Sequence, residues 1–179
     1  MTEEKKERWL NYLALTTVIL AVCATLASFK GGGYSTRSVL SQTQASDQWS
    51  FYQAKSIKGN LYEVEKDKLE LELKALAPGA SDALTQAYMA QINACVTKAQ
   101  KYNEEKARIE KDARRLEDIR NDATRHSQGF GVAVIYLQIA ILLSSVAALM
   151  KKRPLWLLGM AVGALGAVHF ANGFLLFFR

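Results

Sequence analysis

Three long apolar stretches and one long polar stretch make up most of this chain. The apolar stretches cover residues 9–29, 130–150 and 154–178, and charged residues flank each of them. About 20 apolar residues in an α-helix are enough to cross the hydrocarbon core of a bilayer. The pattern therefore predicts three transmembrane helices, with residues 30–129 outside the membrane between the first and the second.

The polar stretch is divided almost equally at Ala77-Pro78-Gly79. There are 48 residues from Lys30 to Ala77 and 50 from Ala80 to Gly129. Proline ends a helix, and glycine permits the positive φ of a chain reversal. The segment 77–79, with Pro78 and Gly79 at its centre, is therefore predicted to be the turn of a helical hairpin with two arms of equal length.

The second arm carries a heptad pattern from Leu84 to Ala123, in which the spacing alternates between three and four residues. This spacing is typical of a coiled-coil helix. Lys106 and Arg120 interrupt the apolar pattern, and they are interpreted as snorkelling side chains or as residues that fix register. The predicted seam consists mainly of Leu84, Tyr88, Ile92, Cys95, Tyr102, Ile109 and Leu116.

The first arm has a broader apolar face than a two-stranded coiled coil requires. Its width predicts more than one packing partner. Between this arm and the first apolar stretch, Gly31-Gly32-Gly33 is predicted to be a flexible break, with Ser35, Thr36 or Ser41 capping the next helix. The face consists of Ala54, Ile57, Leu61, Val64, Leu71 and Ala75, and Leu69, Leu73 and Leu76 widen it near the turn.

These patterns predict an all-α protein with three transmembrane helices and an antiparallel coiled-coil rod between the first two. The three basic residues 151–153 form a short loop, and short basic loops lie in the cytoplasm. Residues 1–8 and 151–153 are then cytoplasmic, whereas the hairpin and the C-terminus are periplasmic. Because transit-peptide features and a glycosylation sequon are absent, a multi-pass protein of the bacterial inner membrane is expected.

A signal peptide is the alternative interpretation of the first apolar stretch. Its 21 residues exceed the usual apolar length of a signal peptide, which is about 7 to 15, so an uncleaved anchor is expected. Lipid attachment at Cys23 is not favoured, because Val22 stands where such sites require a small residue. Cys23 and Cys95 lie too far apart in the predicted layout to form a disulfide.

Charge separates this chain from nucleic-acid-binding proteins, although its pI is about 9.3. Residues 30–129 contain 16 Lys or Arg and 14 Asp or Glu side chains, and the two signs alternate along the arms. Alternating charge is typical of a solvated helix surface, whereas nucleic-acid binding needs a basic face. Nucleic acid is therefore not expected as a partner.

The most distinctive short motif runs from Trp49 to Lys58. Trp49, Tyr52, Lys55 and Lys58 are a candidate partner-binding site, and the alternative is that the aromatic residues anchor the first arm against its partner helices. Trp49, Tyr52-Gln53-Ala54-Lys55-Ser56 and Lys58, following an apolar span, resemble the signature of a bacterial family of membrane proteins classified as a domain of unknown function (number 4337). The resemblance implies the order of the spans and no particular activity.

The third span carries the candidate helix-packing residues. Small residues let transmembrane helices approach closely, either within one chain or between subunits. Polar side chains in the same span are expected to hydrogen-bond between helices. A bis-histidine haem or metal site at His126 and His169 is a weaker alternative, because no further ligands accompany the pair. The packing residues are Gly159, Gly163, Gly166, Gly173, His169 and Asn172.

No catalytic motif is recognisable in the sequence, so an enzyme, a cofactor or a small-molecule ligand is not expected. The predicted function is that of a non-catalytic scaffold that forms a homo-oligomer or joins other proteins in a membrane assembly. A periplasmic sensor or adaptor is the second hypothesis, and a channel or transporter component is the third.

Overall fold

The computed structural model describes residues 2–76 and 81–177, and these residues form an all-α structure. Helix α1 runs Thr2–Ala75, α2 runs Asp82–Met150 and α3 runs Arg153–Leu175. No strand occurs among the described residues. The predicted fold class is confirmed, while the predicted turn at Pro78 and Gly79 lies outside the described residues.

Local hydrogen bonds explain two of the helix ends. Ser81 caps α2, since its hydroxyl and carbonyl oxygens both accept from the Leu84 N–H, at 3.3 and 3.0 Å. After α2, Lys151 adopts a left-handed conformation with φ 52°, and the Lys152 N–H donates to the Ala147 carbonyl. This Schellman-type ending leaves only Lys151 and Lys152 between α2 and α3.

The chain forms two compact units. The first, here called the span unit, contains Met1–Leu40 and Ile119–Arg179, and the second, the hairpin unit, contains Ser41–Asp118. Both α1 and α2 contribute to both units. Each of the three helices contains a stretch that is long and apolar enough to cross a membrane.

The core of the span unit consists of three apolar clusters in which the helices meet. One cluster contains Trp9, Leu13 and Ala147, a second Leu20, Ala24, Leu137 and Ala140, and a third Ala27, Phe130 and Ala133. Residues of α3 pack against all three clusters, through Trp156, Val162 and Phe170. The span unit is therefore a three-helix packing in which each helix contacts the other two.

The predicted break at Gly31-Gly32-Gly33 is wrong, because α1 continues through these residues without interruption. Gly31 is buried, and a Cβ atom there would lie 3.1 Å from the Phe130 Cβ. The Ser127 hydroxyl donates to the Gly31 carbonyl at 3.1 Å. The glycine thus permits close packing of α1 against α2, and the caps predicted at Ser35, Thr36 or Ser41 are not needed.

The two arms of the hairpin unit run antiparallel. Trp49 contacts Glu117, Lys55 contacts Glu105 and Tyr62 contacts Tyr102. Moving forward along α1 therefore means moving backward along α2. This is the pairing expected of a helical hairpin.

Candidate functional site

The face that α1 turns toward α2 in the hairpin unit is not its most apolar face. The buried and half-buried residues follow a heptad spacing that includes lysine, tyrosine and glycine. Lysine and tyrosine can pack their apolar stems in such a seam while their polar tips stay near water. The members of this inner face are Ser41, Ala45, Gln48, Tyr52, Lys55, Gly59, Tyr62, Lys66, Leu69 and Leu73.

The predicted seam residues of α2 lie on the side that contacts α1. Cys95 is buried, and so are Ala99 and Ala113, which share its register. Leu84 is 43% exposed and is the least covered of the predicted set. The half-buried members are Tyr88, Ile92, Tyr102, Ile109 and Leu116.

Trp49 and Tyr52 of α1 contact each other, and each also contacts a residue of α2. The Trp49 indole N–H donates to the Glu117 carboxylate at 2.9 Å, and the Trp49 ring meets the Tyr52 ring edge-on at 5.4 Å. On the opposite helix, the Lys106 ammonium lies 5.3 Å from the Tyr52 ring centroid. This cation–π contact accounts for a lysine in the α2 seam.

Lys55 forms an ion pair across the seam. Its ammonium lies 2.5 Å from the Glu105 carboxylate and 5.4 Å from the Tyr102 ring centroid. The hydrogen bond with Glu105 raises the pKa of Lys55, and the same hydrogen bond lowers the pKa of Glu105. Both groups therefore carry their charges at neutral pH in the folded protein.

Tyr62 and Tyr102 form the next contact along the seam. Their rings stack with centroids 5.8 Å apart, and the Lys98 ammonium lies 4.9 Å from the Tyr62 ring centroid. A Cβ atom added at Gly59 would lie 3.6 Å from the Tyr102 Cβ. The glycine therefore marks a close approach of the two arms.

The candidate partner-binding motif is thus divided by the structure. Trp49, Tyr52 and Lys55 contact α2 of the same chain, whereas Lys58 is exposed. The aromatic rings and the Lys55 ammonium are occupied by these contacts. The geometry of the motif corresponds to an anchor between the arms.

Most of the apolar face predicted on the first arm lies away from α2 and has no cover within the hairpin unit, whereas Leu69 and Leu73, which were predicted to widen this face, lie on the inner face. The side chains of Ile57, Leu61, Val64 and Leu71 are 69%, 64%, 66% and 67% exposed. Ala54 and Ala75 lie on the same face and are also exposed. We call this set, together with Lys68 at the remaining position of the repeat, the outer stripe.

The glycine face of α3 packs inside the span unit. Added Cβ atoms would lie 3.2 Å from the Ala140 carbonyl at Gly159, 2.9 Å from the Leu20 side chain at Gly163 and 2.9 Å from the Leu137 side chain at Gly166. At Gly173 the added atom would lie 2.7 Å from the Phe130 ring. The partners of the glycine face are therefore α1 and α2 of the same chain.

Polar residues connect the helices at one end of the span unit. His126 Nδ1 lies 2.8 Å from the Gly173 carbonyl, so this nitrogen is the donor, and the His126 ring stacks on Tyr34 at 4.5 Å. His169 stacks on Tyr136 with centroids 5.4 Å apart. Asn172 is buried, and its backbone carbonyl accepts from the Leu176 N–H at 2.8 Å at the C-terminal end of α3. The two histidines thus have different aromatic partners.

Within residues 2–76 and 81–177, no group of three or more His, Cys, Asp or Glu side chains is arranged to hold a metal ion.

The sequence did not single out Glu105, Glu117 and Phe130, although each of them makes a main contact between helices. The two glutamates occur in an ordinary pattern of alternating charge, and Phe130 is one of many apolar residues in its span. Only the fold gives them their partners.

The helical arrangement defines an all-α protein in which three membrane-length apolar segments accompany a long antiparallel hairpin. The chain belongs to the family described as a domain of unknown function (DUF4337), whose profile matches residues 9–176. The match includes the spans and both arms of the hairpin. No curated protein and no solved structure matches the chain.

Proposed function

We propose that the protein is a non-catalytic scaffold of a membrane, which forms a homo-oligomer or serves as a subunit of a larger membrane assembly. The observation that carries this proposal is the outer stripe of α1. Four large apolar side chains at heptad spacing, each about two-thirds exposed, form a surface of the kind that marks an interaction site. Its partners are membrane lipid at the spans and protein at the hairpin.

The packing of the seam and of the glycine face supports a structural role. In the seam, the indole of Trp49 and the ammonium of Lys55 are already paired with carboxylates of α2. In the span unit, the four glycines face side chains of the same chain. These surfaces are used to build the protomer, and the outer stripe is left for assembly.

The proposal is tested by the mass of wild-type particles captured with native lipid in nanodiscs directly from membranes. We expect a defined particle that contains either several copies of the 19.9 kDa chain or one copy with other membrane proteins. Empty nanodiscs provide the lipid and scaffold mass to subtract. A single chain without any protein partner would contradict the proposed function.

We also propose a bacterial inner-membrane location with the hairpin in the periplasm. The basic loop at Lys151 and Lys152 supports this orientation, because short basic loops stay in the cytoplasm. In intact cells, a membrane-impermeant thiol reagent should label a cysteine that replaces exposed Glu63 and should not label one that replaces Lys152. The reverse labelling pattern, with both sites labelled equally in lysed cells, would overturn the orientation.

A further inference from the structure

We propose that the outer stripe binds the same stripe of further copies of this chain, in a parallel and in-register coiled coil. This inference rests on the proposed function, and it names both the partner and the contact. The outer stripe has the heptad spacing that two or more helices need to pack along their length. The inner face, which already packs on α2, lies on nearly the opposite side of α1.

The heptad positions of the stripe are unambiguous, because the spacing alternates three and four from Ala54 to Ala75. Counting 100° per residue, the outer and inner faces are separated by roughly 150° around the helix. A further helix can therefore dock without displacing α2. The a positions are Ala54, Leu61, Lys68 and Ala75, and the d positions are Ile57, Val64 and Leu71.

The proposed arrangement is parallel. Copies of one chain insert in the same sense, and closed homo-oligomers are built around a rotation axis. In our proposal this axis runs along the outer stripes, which then lie parallel and in register. Identical residues meet in each layer, so Ile57, Leu61 and Val64 form consecutive apolar layers.

The residue types at these layers favour three or four helices over two. Parallel dimers prefer a β-branched residue at a and leucine at d, while leucine at a with isoleucine at d shifts the preference to trimers and tetramers. Here Leu61 occupies an a position, and the β-branched Ile57 and Val64 occupy d positions. We therefore expect more than two copies around the axis.

Lys68 is the only charged residue within the stripe, and its side chain is 63% exposed in the single chain. Its ammonium lies 3.9 Å from Glu72 of the same helix, and the Lys66 ammonium lies 2.9 Å from Asp67. Asp67 and Glu72, which flank Lys68 at the edges of the stripe, are therefore accompanied by cations of their own chain. A single lysine at an a position sets register and oligomer state at some cost in stability, which is the role assigned to Lys68.

The experiment uses full-length protein in which Cys23 and Cys95 are replaced by alanine, so that an introduced cysteine is the sole thiol. Val64→Cys should be joined to itself in membranes by a short bis-maleimide. Glu63→Cys is the matched control, because Glu63 is adjacent in sequence, exposed and outside the stripe. We expect at least a fivefold higher yield of covalent dimer for Val64→Cys than for Glu63→Cys.

The relative direction of neighbouring stripes is tested by co-expressing two chains that carry single cysteines at opposite ends of the stripe. The pairs are Ala54→Cys with Leu71→Cys and Ile57→Cys with Ala75→Cys. In the parallel arrangement each mixed pair is separated by roughly 25 Å along the helix, so no mixed dimer forms. Mixed dimers in either experiment would overturn the parallel arrangement. Equal yields for Val64→Cys and Glu63→Cys would overturn the stripe as the contact.

The mass of the Val64→Cys protein in nanodiscs separates failure of this inference from failure of the proposed function. A particle with several copies but no Val64 cross-link would reject the outer stripe as the self-contact and leave a scaffold intact. A single chain alone would reject both. Three or four copies with a Val64 cross-link is the result that supports the inference.

Discussion

Replacing Phe130 with alanine is expected to destabilise the span unit by about 3 kcal/mol, at the lower end of the range for buried aromatic residues. The Phe130 side chain is fully buried, and its ring meets Phe170 and Phe174 of α3 edge-on, at 5.9 and 4.8 Å. It also stacks at 6.0 Å on Tyr34 of α1. In lipid the loss comes mainly from the cavity and the missing ring contacts, because lipid is as apolar as the protein interior.

The measurement is unfolding of the purified protein by SDS in mixed micelles, followed by the fluorescence of Trp9 and Trp156, which lie 6.4 Å apart in the span unit. Every protein in the comparison carries Trp49→Phe, so that the hairpin unit does not contribute to the tryptophan fluorescence. Phe29→Ala is the control, because the Phe29 side chain is 77% exposed and should lose less than about 0.5 kcal/mol. Equal losses for the two phenylalanines would contradict the packing described for Phe130.

Adding a methyl group at Gly173 is the second change with a large expected effect. The Cβ of Gly173→Ala would lie 2.7 to 2.9 Å from three atoms of the Phe130 ring, which is held by its neighbours. Overpacking of this kind costs about 1 to 3 kcal/mol. The same SDS titration should show a corresponding loss of stability for Gly173→Ala.

Gly131→Ala is the matched control, since no atom beyond its chain neighbours and the nearby backbone of its own helix lies within 4 Å of the added Cβ. Alanine is favoured over glycine in helices by roughly 1 kcal/mol, so this variant should be as stable as the wild type or more stable. In the double variant with Phe130→Ala, the methyl at Gly173 enters space that the ring has left. The double variant should therefore lose less stability than the sum of the losses of the two single variants. A loss equal to that sum would contradict direct contact between Gly173 and Phe130.

The number and type of the helices follow from local features of the sequence. The apolar stretches are longer than a globular helix needs, and the heptad spacing of the second arm excludes a strand pattern. The seam register around Cys95 and Tyr102 could also be predicted, because a period of 3.5 residues can be recognised in one helix without knowledge of its partner helix. These features depend only on spacing along the chain.

Partners across the fold were not accessible from spacing. Gly31 belongs to a run of three glycines that favours a break by local propensity, but packing against Phe130 and a hydrogen bond from Ser127 keep it helical. Tertiary contacts of this kind commonly override propensity. In the same way, the glycines of α3 predicted a close helix contact without indicating that its partners belong to the same chain.

The face of α1 that packs on α2 also depended on information outside α1. Hydrophobicity selects the face with Ile57, Leu61 and Val64, whereas the structure pairs the face with Lys55 and Tyr62. That choice requires the carboxylates and rings that α2 presents opposite them. The more apolar face is consequently the one left exposed, and this is why we assign assembly to it.

The central claim is that the outer stripe holds subunits together while the glycine face holds one protomer together. The most direct test measures particle mass in nanodiscs for two proteins, the double variant Leu61→Gln with Val64→Gln and the single variant Gly173→Ala. Glutamine keeps helix propensity and removes the apolar contact, so the double variant should lose subunits and retain wild-type helicity and span-unit stability. Gly173→Ala should retain its subunits and lose span-unit stability. A double variant that keeps the full wild-type subunit number would contradict the account.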